Sequence, residues 1–545
     1  MPRFARLLAA AALTLASLPA VAQQAPPRAA AKPQLIVAIS VDQFSADLFA
    51  QYRGRFTGGL ARLQTGAVFP SGYQSHAATE TCPGHSTILT GMRPAHTGII
   101  ANNWTDLRTA RADKVIYCAE DESVPGSTSS SYTVSDKHLK VPTLGEMMKA
   151  ADPRTRVVSV AGKDRAAVMM GGHKVDELWW WDGKAFTSYA GRTTPAAVTR
   201  ANTAVAALIA QPQAALDLPG YCKPLDLPVT AGGLTIGSGR FERAAGDAKA
   251  FRASPASDAA VAALAMGLIQ DMKLGQGPAT DLIAIGESAT DYVGHTYGTE
   301  GTEMCLQLTH LDRTLGSLFD QLDATGIDYE VVLTADHGGN DAPEREREHA
   351  VPAASRVDAS LAAKAVGTTV AAQLGLSGQL LYGEGGNGDV WIDPALPAAT
   401  RARVANAATA IYQRNPQVAA VLSRATIAAT PMPAGPPETW TLAERARASF
   451  DPERSGDLLV LLKPRITAIP EYARGYAATH GSPWDYDRRV PILFWRRGMT
   501  GFEQPLSVET VDIAPTLAAT IGLRIAGLDG RCLDVDAGPA SSCPN

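Results

Sequence analysis

Three aspartates and three histidines stand where they could hold divalent cations. Asp336 and His337 follow the apolar run Tyr329–Ala335, with Gly338 and Gly339 behind them to allow a sharp turn. Asp291 and His295 are spaced i, i+4, which puts both side chains on one face of a helix. Asp42 ends the first apolar run after the linker, and His480 lies in the loop sequence Thr479–Pro483. Singly, each has an ordinary role: a turn, a surface pair, a helix cap, an exposed ring. Together they supply nitrogen and oxygen ligands for two sites of the kind zinc accepts. Two neighbouring zinc ions can clamp the attacking and leaving oxygens of a phosphoryl transfer.

The nucleophile candidate is Thr81, in Glu80-Thr81-Cys82-Pro83-Gly84-His85-Ser86-Thr87. Pro83 favours a helix start, and Ser86–Leu89 can continue it. A hydroxyl there shares its position with free backbone N–H groups and the positive helix end, both suited to phosphate. Zinc would lower its pKa enough to supply an alkoxide near neutral pH. Without the cation ligands elsewhere in the chain, Thr81 reads only as a helix cap.

These residues need elements to bring them together. Short runs rich in Val, Ile and Leu recur, each ending in polar residues: Leu35–Val41 before Asp42, Arg156–Ala161 before Gly162-Lys163-Asp164-Arg165, Asp281–Gly286 before Glu287 and Asp291, Tyr329–Ala335 before Asp336. Val490–Trp495 is another, with His480 ahead of it. Such runs suit strands buried on both faces of a mostly parallel sheet. Ala/Leu-rich stretches between them, such as Asp258–Lys273 and Thr302–Ala324, have helical spacing. The pattern predicts an α/β fold, a mostly parallel central sheet sandwiched by helices, with ligands beyond the carboxyl ends of the strands. Residues 33–545 read as one catalytic domain. Two segments interrupt it, near 174–255 (with Trp179-Trp180-Trp181) and near 340–480, and read as cap insertions over the sheet.

Composition agrees with a soluble enzyme. The 545 residues are 46% hydrophobic and 19% charged, enough for a large core. A net charge of −5 with no block of like charges argues against a general nucleic-acid binder. Arg3 and Arg6 precede the apolar run Leu7–Leu18, and Ala20-Val21-Ala22 supplies small residues for cleavage, the layout of a signal peptide over residues 1–22. A Pro/Ala-rich linker, residues 23–32, follows. Cleavage near Ala22 would remove two arginines and no acid, taking the charge from −5 to −7. No cysteine follows the apolar run and no later run is long enough for a bilayer, so a periplasmic or secreted protein without a membrane anchor is expected. Six cysteines, Cys82, Cys118, Cys222, Cys305, Cys532 and Cys543, permit three bridges in fifteen connectivities; most of them read as disulfide partners, with Cys532 and Cys543 the best pair.

In order and identity, Asp42, Thr81, Asn102, Asp291, His295, Asp336-His337 and His480 resemble the alkaline phosphatase superfamily. The resemblance is closest to the threonine-nucleophile alkaline phosphatases and their relatives, the nucleotide pyrophosphatase/phosphodiesterases. It runs from about Leu35 to Ile521 and includes Val511-Asp512-Ile513-Ala514-Pro515-Thr516. It implies that Asp291, His295 and His480 hold one zinc, which binds the leaving or incoming oxygen. It implies that Asp42, Asp336 and His337 hold the other, together with Thr81. Asn102, 21 residues after Thr81 in Gly-Ile-Ile-Ala-Asn, is implied as the amide donor to a non-bridging phosphate oxygen, though Asn103 stands beside it.

A phosphate monoester carries two negative charges and three non-bridging oxygens, so it rewards extra cations. Lys163 and Arg165 offer a point charge and a planar fork. The Lys-x-Arg placement resembles the threonine-type monoesterases and is lacking in the diesterase relatives; a solvated loop is its ordinary role. The sulfatase signature is absent, because Cys82 is followed by Pro83-Gly84-His85. His76, His85, His96, His138, His173, His310 and His349 read as structural. The expected function is therefore a two-zinc phosphatase acting on small phosphorylated substrates through a phosphothreonine. The alternatives are a phosphodiesterase on the same scaffold and a catalytically silent metal- or phosphate-binding protein.

Overall fold

The computed structural model describes residues 32–349, 351–472, 475–536 and 541–543. The expected signal peptide, residues 1–22, lies outside the described residues. The core is a ten-stranded sheet formed by β1 (Leu35–Val41), β2 (Ala67–Tyr73), β3 (Val157–Ala161), β4 (Glu177–Trp181), β5 (Phe186–Thr187), β6 (Asp281–Glu287), β7 (Tyr329–Thr334), β8 (Arg489–Arg496), β9 (Phe502–Glu503) and β10 (Val508–Glu509). Its order is β9-β2-β8-β7-β1-β6-β3-β4-β5, with β10 beside β2.

Every residue of β1 is buried, which accounts for its unbroken apolar sequence. Leu35, Val37 and Ile39 face one layer, which includes the helices α3 (Pro255–Met272) and α5 (Thr302–Ala324). Ile36 and Ala38 face the other, where α6 (Ile513–Thr520) packs. The sheet is thus covered on both sides, as a mostly parallel α/β sheet requires.

Four neighbours, β7, β1, β6 and β3, run parallel, so their carboxyl ends share one edge. β8 runs antiparallel to β7 within this mostly parallel sheet. It therefore begins at that same edge, and His480 reaches it from the segment ahead of β8. β2 is antiparallel to β8 and so ends there as well, delivering the chain to Thr81.

The Trp179–Trp181 run is not part of a cap. It forms most of β4, pairs parallel with β3, and buries its rings as the sheet continues outward. The region after residue 340 does build separate structure. Strands Leu381–Tyr382, Gly388–Ile392, Leu458–Leu462 and Val418–Ser423 form a four-stranded antiparallel sheet with its own core around Val366, Val404 and Tyr412. All six cysteines pair, as Cys82–Cys118, Cys222–Cys305 and Cys532–Cys543. No helix among the described residues is long and apolar enough to cross a membrane.

Candidate active site

Helix α1 spans Thr81–Ile88, two residues earlier than Pro83 alone suggests, so Thr81 is its first residue. Gly84 lets this helix lie against the strand-end loop, because a Cβ there would collide with the Asp336 backbone. Thr81 Oγ1 lies 3.5 Å from His337 Nε2 and 3.5 Å from Arg165 Nη2. Of the first amides of α1, that of Cys82 donates to Asn102 Oδ1 at 2.8 Å and Pro83 has none, which leaves the Thr81 N–H for an anion.

The six expected ligands converge in two groups. Asp291 Oδ1 lies 3.3 Å from His295 Nε2 and 3.4 Å from His480 Nε2. His337 Nε2 lies 3.4 Å from Asp42 Oδ1 and 3.3 Å from Asp336 Oδ2. The groups adjoin, since the His337 and His480 rings stack at 3.6 Å. Asp291 and His295 both lie on helix α4 (Ala289–Tyr297), one turn apart. The glycines after His337 serve close packing, because neither has positive φ and a Cβ on Gly338 would strike the Tyr486 carbonyl.

The donor set fits divalent cations. His295, His337 and His480 each direct Nδ1 at a backbone carbonyl, of Ala478, Gly338 and Thr79, at 2.8–2.9 Å. With the proton on Nδ1, each Nε2 presents a lone pair to the site. Those lone pairs face Asp42 Oδ1, Asp291 Oδ1 and Asp336 Oδ2, buried oxygens with no hydrogen-bond partner. Acceptors packed against acceptors are unfavourable unless a cation lies among them. Burial drives His295 down to about 4 and His337 down to about 3, which keeps both rings neutral. His480 is drawn upward by Asp291 in spite of burial. Burial pushes Asp42 well up, with Asp336 adding to it. Asp291 is held well below the usual range, because His295 and Lys163 outweigh its burial.

Lys163 is buried, not solvated. It immediately precedes helix α2 (Asp164–Gly171), and its Nζ lies 2.7 Å from Asp42 Oδ2 and 2.5 Å from Asp291 Oδ2, joining the two groups. Arg165, in the first turn of α2, has a buried Nε without a partner and no carboxylate at ion-pair distance among the described residues.

Two further residues support the site. Glu80 Oε2 accepts from the Asn102 amide N–H at 2.6 Å, and together with the Cys82 contact this brings Asn102 to the start of α1. Asn103 instead enters a β-strand opposite Tyr117. His85 Nδ1 lies 2.9 Å from the Thr81 carbonyl and 3.0 Å from Asp336 Oδ2, so it braces the helix start against a ligand. Its i+4 spacing from Thr81 was a usable signal. Nothing in the sequence shows that Glu80 reaches Asn102.

A mostly parallel sheet whose carboxyl edge carries this paired acceptor cluster and a helix-start threonine is the framework of the alkaline phosphatase superfamily. Residues 36–483 match the family model for type I phosphodiesterase / nucleotide pyrophosphatase, and the chain belongs to that family. It is 58% identical to alkaline phosphatase PhoK of a Sphingomonas species, over 98% of this chain and 99% of the relative. It is 50% identical to alkaline phosphatase PhoD of Zymomonas mobilis, over 94% of this chain and 89% of the relative. Likeness at this level over nearly full length makes it an enzyme of the alkaline phosphatase type. The crystal structure of alkaline phosphatase PafA superposes with a TM-score of 0.81 at 25% identity, covering 94% of this chain and 100% of that one.

Proposed function

We propose that the protein is an exported, zinc-dependent phosphatase that hydrolyses phosphate monoesters through a phosphothreonine formed on Thr81. Asp291, His295 and His480 would hold one zinc, and Asp42, Asp336 and His337 the other, with Thr81. Two bound zinc ions supply Lewis acidity and positive charge at the reacting oxygens. Thr81, stripped of its proton, attacks phosphorus in line, and the bond from phosphorus to the substrate alcohol breaks. Asn102 and Arg165 donate to the non-bridging oxygens. Water then hydrolyses the phosphothreonine, releasing phosphate and restoring the hydroxyl.

The observation that carries the monoester reading is a pair of cations at the ligand cluster, the buried Lys163 on Asp42 and Asp291 and the half-buried Arg165 with Nη2 3.5 Å from the Thr81 hydroxyl. A diester offers one negative charge fewer to them. Export is supported by the Arg-then-apolar order of residues 1–22 and by three disulfides with no free cysteine among the described residues. Residues 33–545 act, on this reading, as one catalytic domain on small phosphorylated substrates, with the small sheet inside 340–480 as a cap.

The test compares p-nitrophenyl phosphate with bis(p-nitrophenyl) phosphate. Thr81→Ala is expected to abolish turnover of both while retaining zinc. Lys163→Ala and Arg165→Ala are expected to lose monoesterase activity preferentially, by about 10- to 100-fold each for a lost charge-assisted hydrogen bond. Near-wild-type turnover by Thr81→Ala would remove the nucleophile assignment. Equal losses on both substrates would favour the diesterase.

A further inference from the structure

On the outer side of Lys163 and Arg165 lies a cavity of about 510 Å³, also bordered by Trp180, Tyr189, Arg252 and Tyr292. Arg252 ends the short helix Ala248–Arg252 and belongs to none of the motifs discussed above. Its guanidinium stacks on the Tyr292 ring at 4.3 Å, and Lys163 Nζ approaches that ring at 4.8 Å. Two cations on one phenol ring are held there by its π-face, and their heads are no more than about 9 Å apart.

Among the described residues no acidic side chain neutralises Arg252. Its Nε is buried without a hydrogen-bond partner, and no carboxylate pairs with it among the described residues. The two acids bordering the cavity are committed elsewhere. Asp164 accepts from Tyr117 at 2.7 Å and Tyr132 at 2.8 Å, and Asp182 accepts from the amides of Lys184 and Ala185. A partly buried guanidinium without a counter-charge, aimed at an open cavity, is an anion site.

We propose that Arg252, supported by Tyr292, binds a second anionic group carried by the leaving alcohol of the substrate. The preferred substrates are then phosphomonoesters whose alcohol bears a carboxylate or a further phosphate. With the heads of Lys163 and Arg252 no more than about 9 Å apart, a short-chain alcohol can carry its second anion to Arg252. This inference rests on the phosphatase reading for the word substrate, but the subsite itself is a matter of binding.

The experiment therefore uses non-hydrolysable probes on the zinc-loaded protein, by titration calorimetry. Phosphonobutyrate carries the second anion and butylphosphonate does not. Arg252→Met, which keeps the aliphatic stem over Tyr292, is expected to weaken phosphonobutyrate by at least about tenfold and butylphosphonate by less than about threefold, the difference of one charged hydrogen bond. Arg252→Lys is expected to recover part of the loss. Equal weakening of both probes makes Arg252 a support for Tyr292 and overturns the subsite, as does no change in either. Selective binding in a protein that turns over no monoester would sink the phosphatase reading and leave the subsite standing.

Discussion

Glu330 is fully buried in β7, the strand that leads to Asp336. Thr520 Oγ1 donates to its Oε2 at 2.5 Å, while its Oε1 has no partner. Burial lifts its pKa from 4.5 to about 7, with Thr520 and Arg496 only partly opposing. A carboxyl held up in the folded state keeps its proton where the unfolded chain has lost it. Between the two values the native state binds more protons, so stability falls as pH rises from about 4.5 to 7, and the full cost persists above. A shift of that size amounts to about 3 kcal/mol at alkaline pH, where an enzyme of this type works. Glu330→Gln keeps the shape and an acceptor for Thr520, and removes the ionisation. Unfolding entropy scaled to a chain of this size converts 3 kcal/mol into a rise of about 3 °C in melting temperature. Zinc-loaded wild type and variant should therefore differ at pH 9 and converge near pH 5. A variant that melts below wild type at pH 9, or gains equally at both pH values, would refute the reasoning.

Chelation followed by removal of the chelator should abolish monoesterase activity and lower the melting temperature. It leaves Asp42, Asp291 and Asp336 facing imidazole lone pairs, and a cation at a thousandfold over its Kd contributes about 4 kcal/mol to the folded state. Zinc should restore both, and chelated protein with no metal by atomic emission but full turnover would sink the zinc reading. The Cys82–Cys118 bridge closes a separation of 36 residues beside Thr81, worth about 4 kcal/mol in the chain-entropy model. Cys82→Ala with Cys118→Ala should melt earlier while the backbone N–H of residue 82 still holds Asn102; unchanged melting would refute this.

The legible parts of the fold were those governed by local burial. β1, β6 and β7 are enclosed on both faces, so their apolar runs mark them nearly to the residue, and α5 matches its helical stretch at both ends. Asp42, Asp291 and Asp336 were visible because the chain turns polar where a buried strand ends. Strand direction was not visible, since an apolar run reads alike either way, and β8 turned out antiparallel. The Trp run misled because three large rings beside Gly and Pro resemble a cap, whereas stacking on β3 hides them. Lys163 is legible as a site residue from its Lys-x-Arg placement, but its partners, Asp42 and Asp291, are not, because they lie more than a hundred residues away on either side. Long-range pairing of this kind leaves no local trace.

The same pairing bears on the proposed preference for a monoester. Asp42, Asp291 and Asp336 set three carboxyl groups against Lys163 and Arg165, so without bound metal the charges nearly cancel and Lys163 ties the two ligand groups together. With two divalent cations in place, on the proposed reading, the pocket becomes strongly positive while water is largely excluded. Such a field most favours the ligand with the most charge to neutralise, a dianionic phosphoryl group meeting a threonine alkoxide. A diester brings less charge and places a second ester group where Arg165 would otherwise donate. Discrimination then arises from unspent cationic charge, and Arg252, stacked on Tyr292 with no carboxylate partner among the described residues, would extend it to the leaving group on the proposed reading.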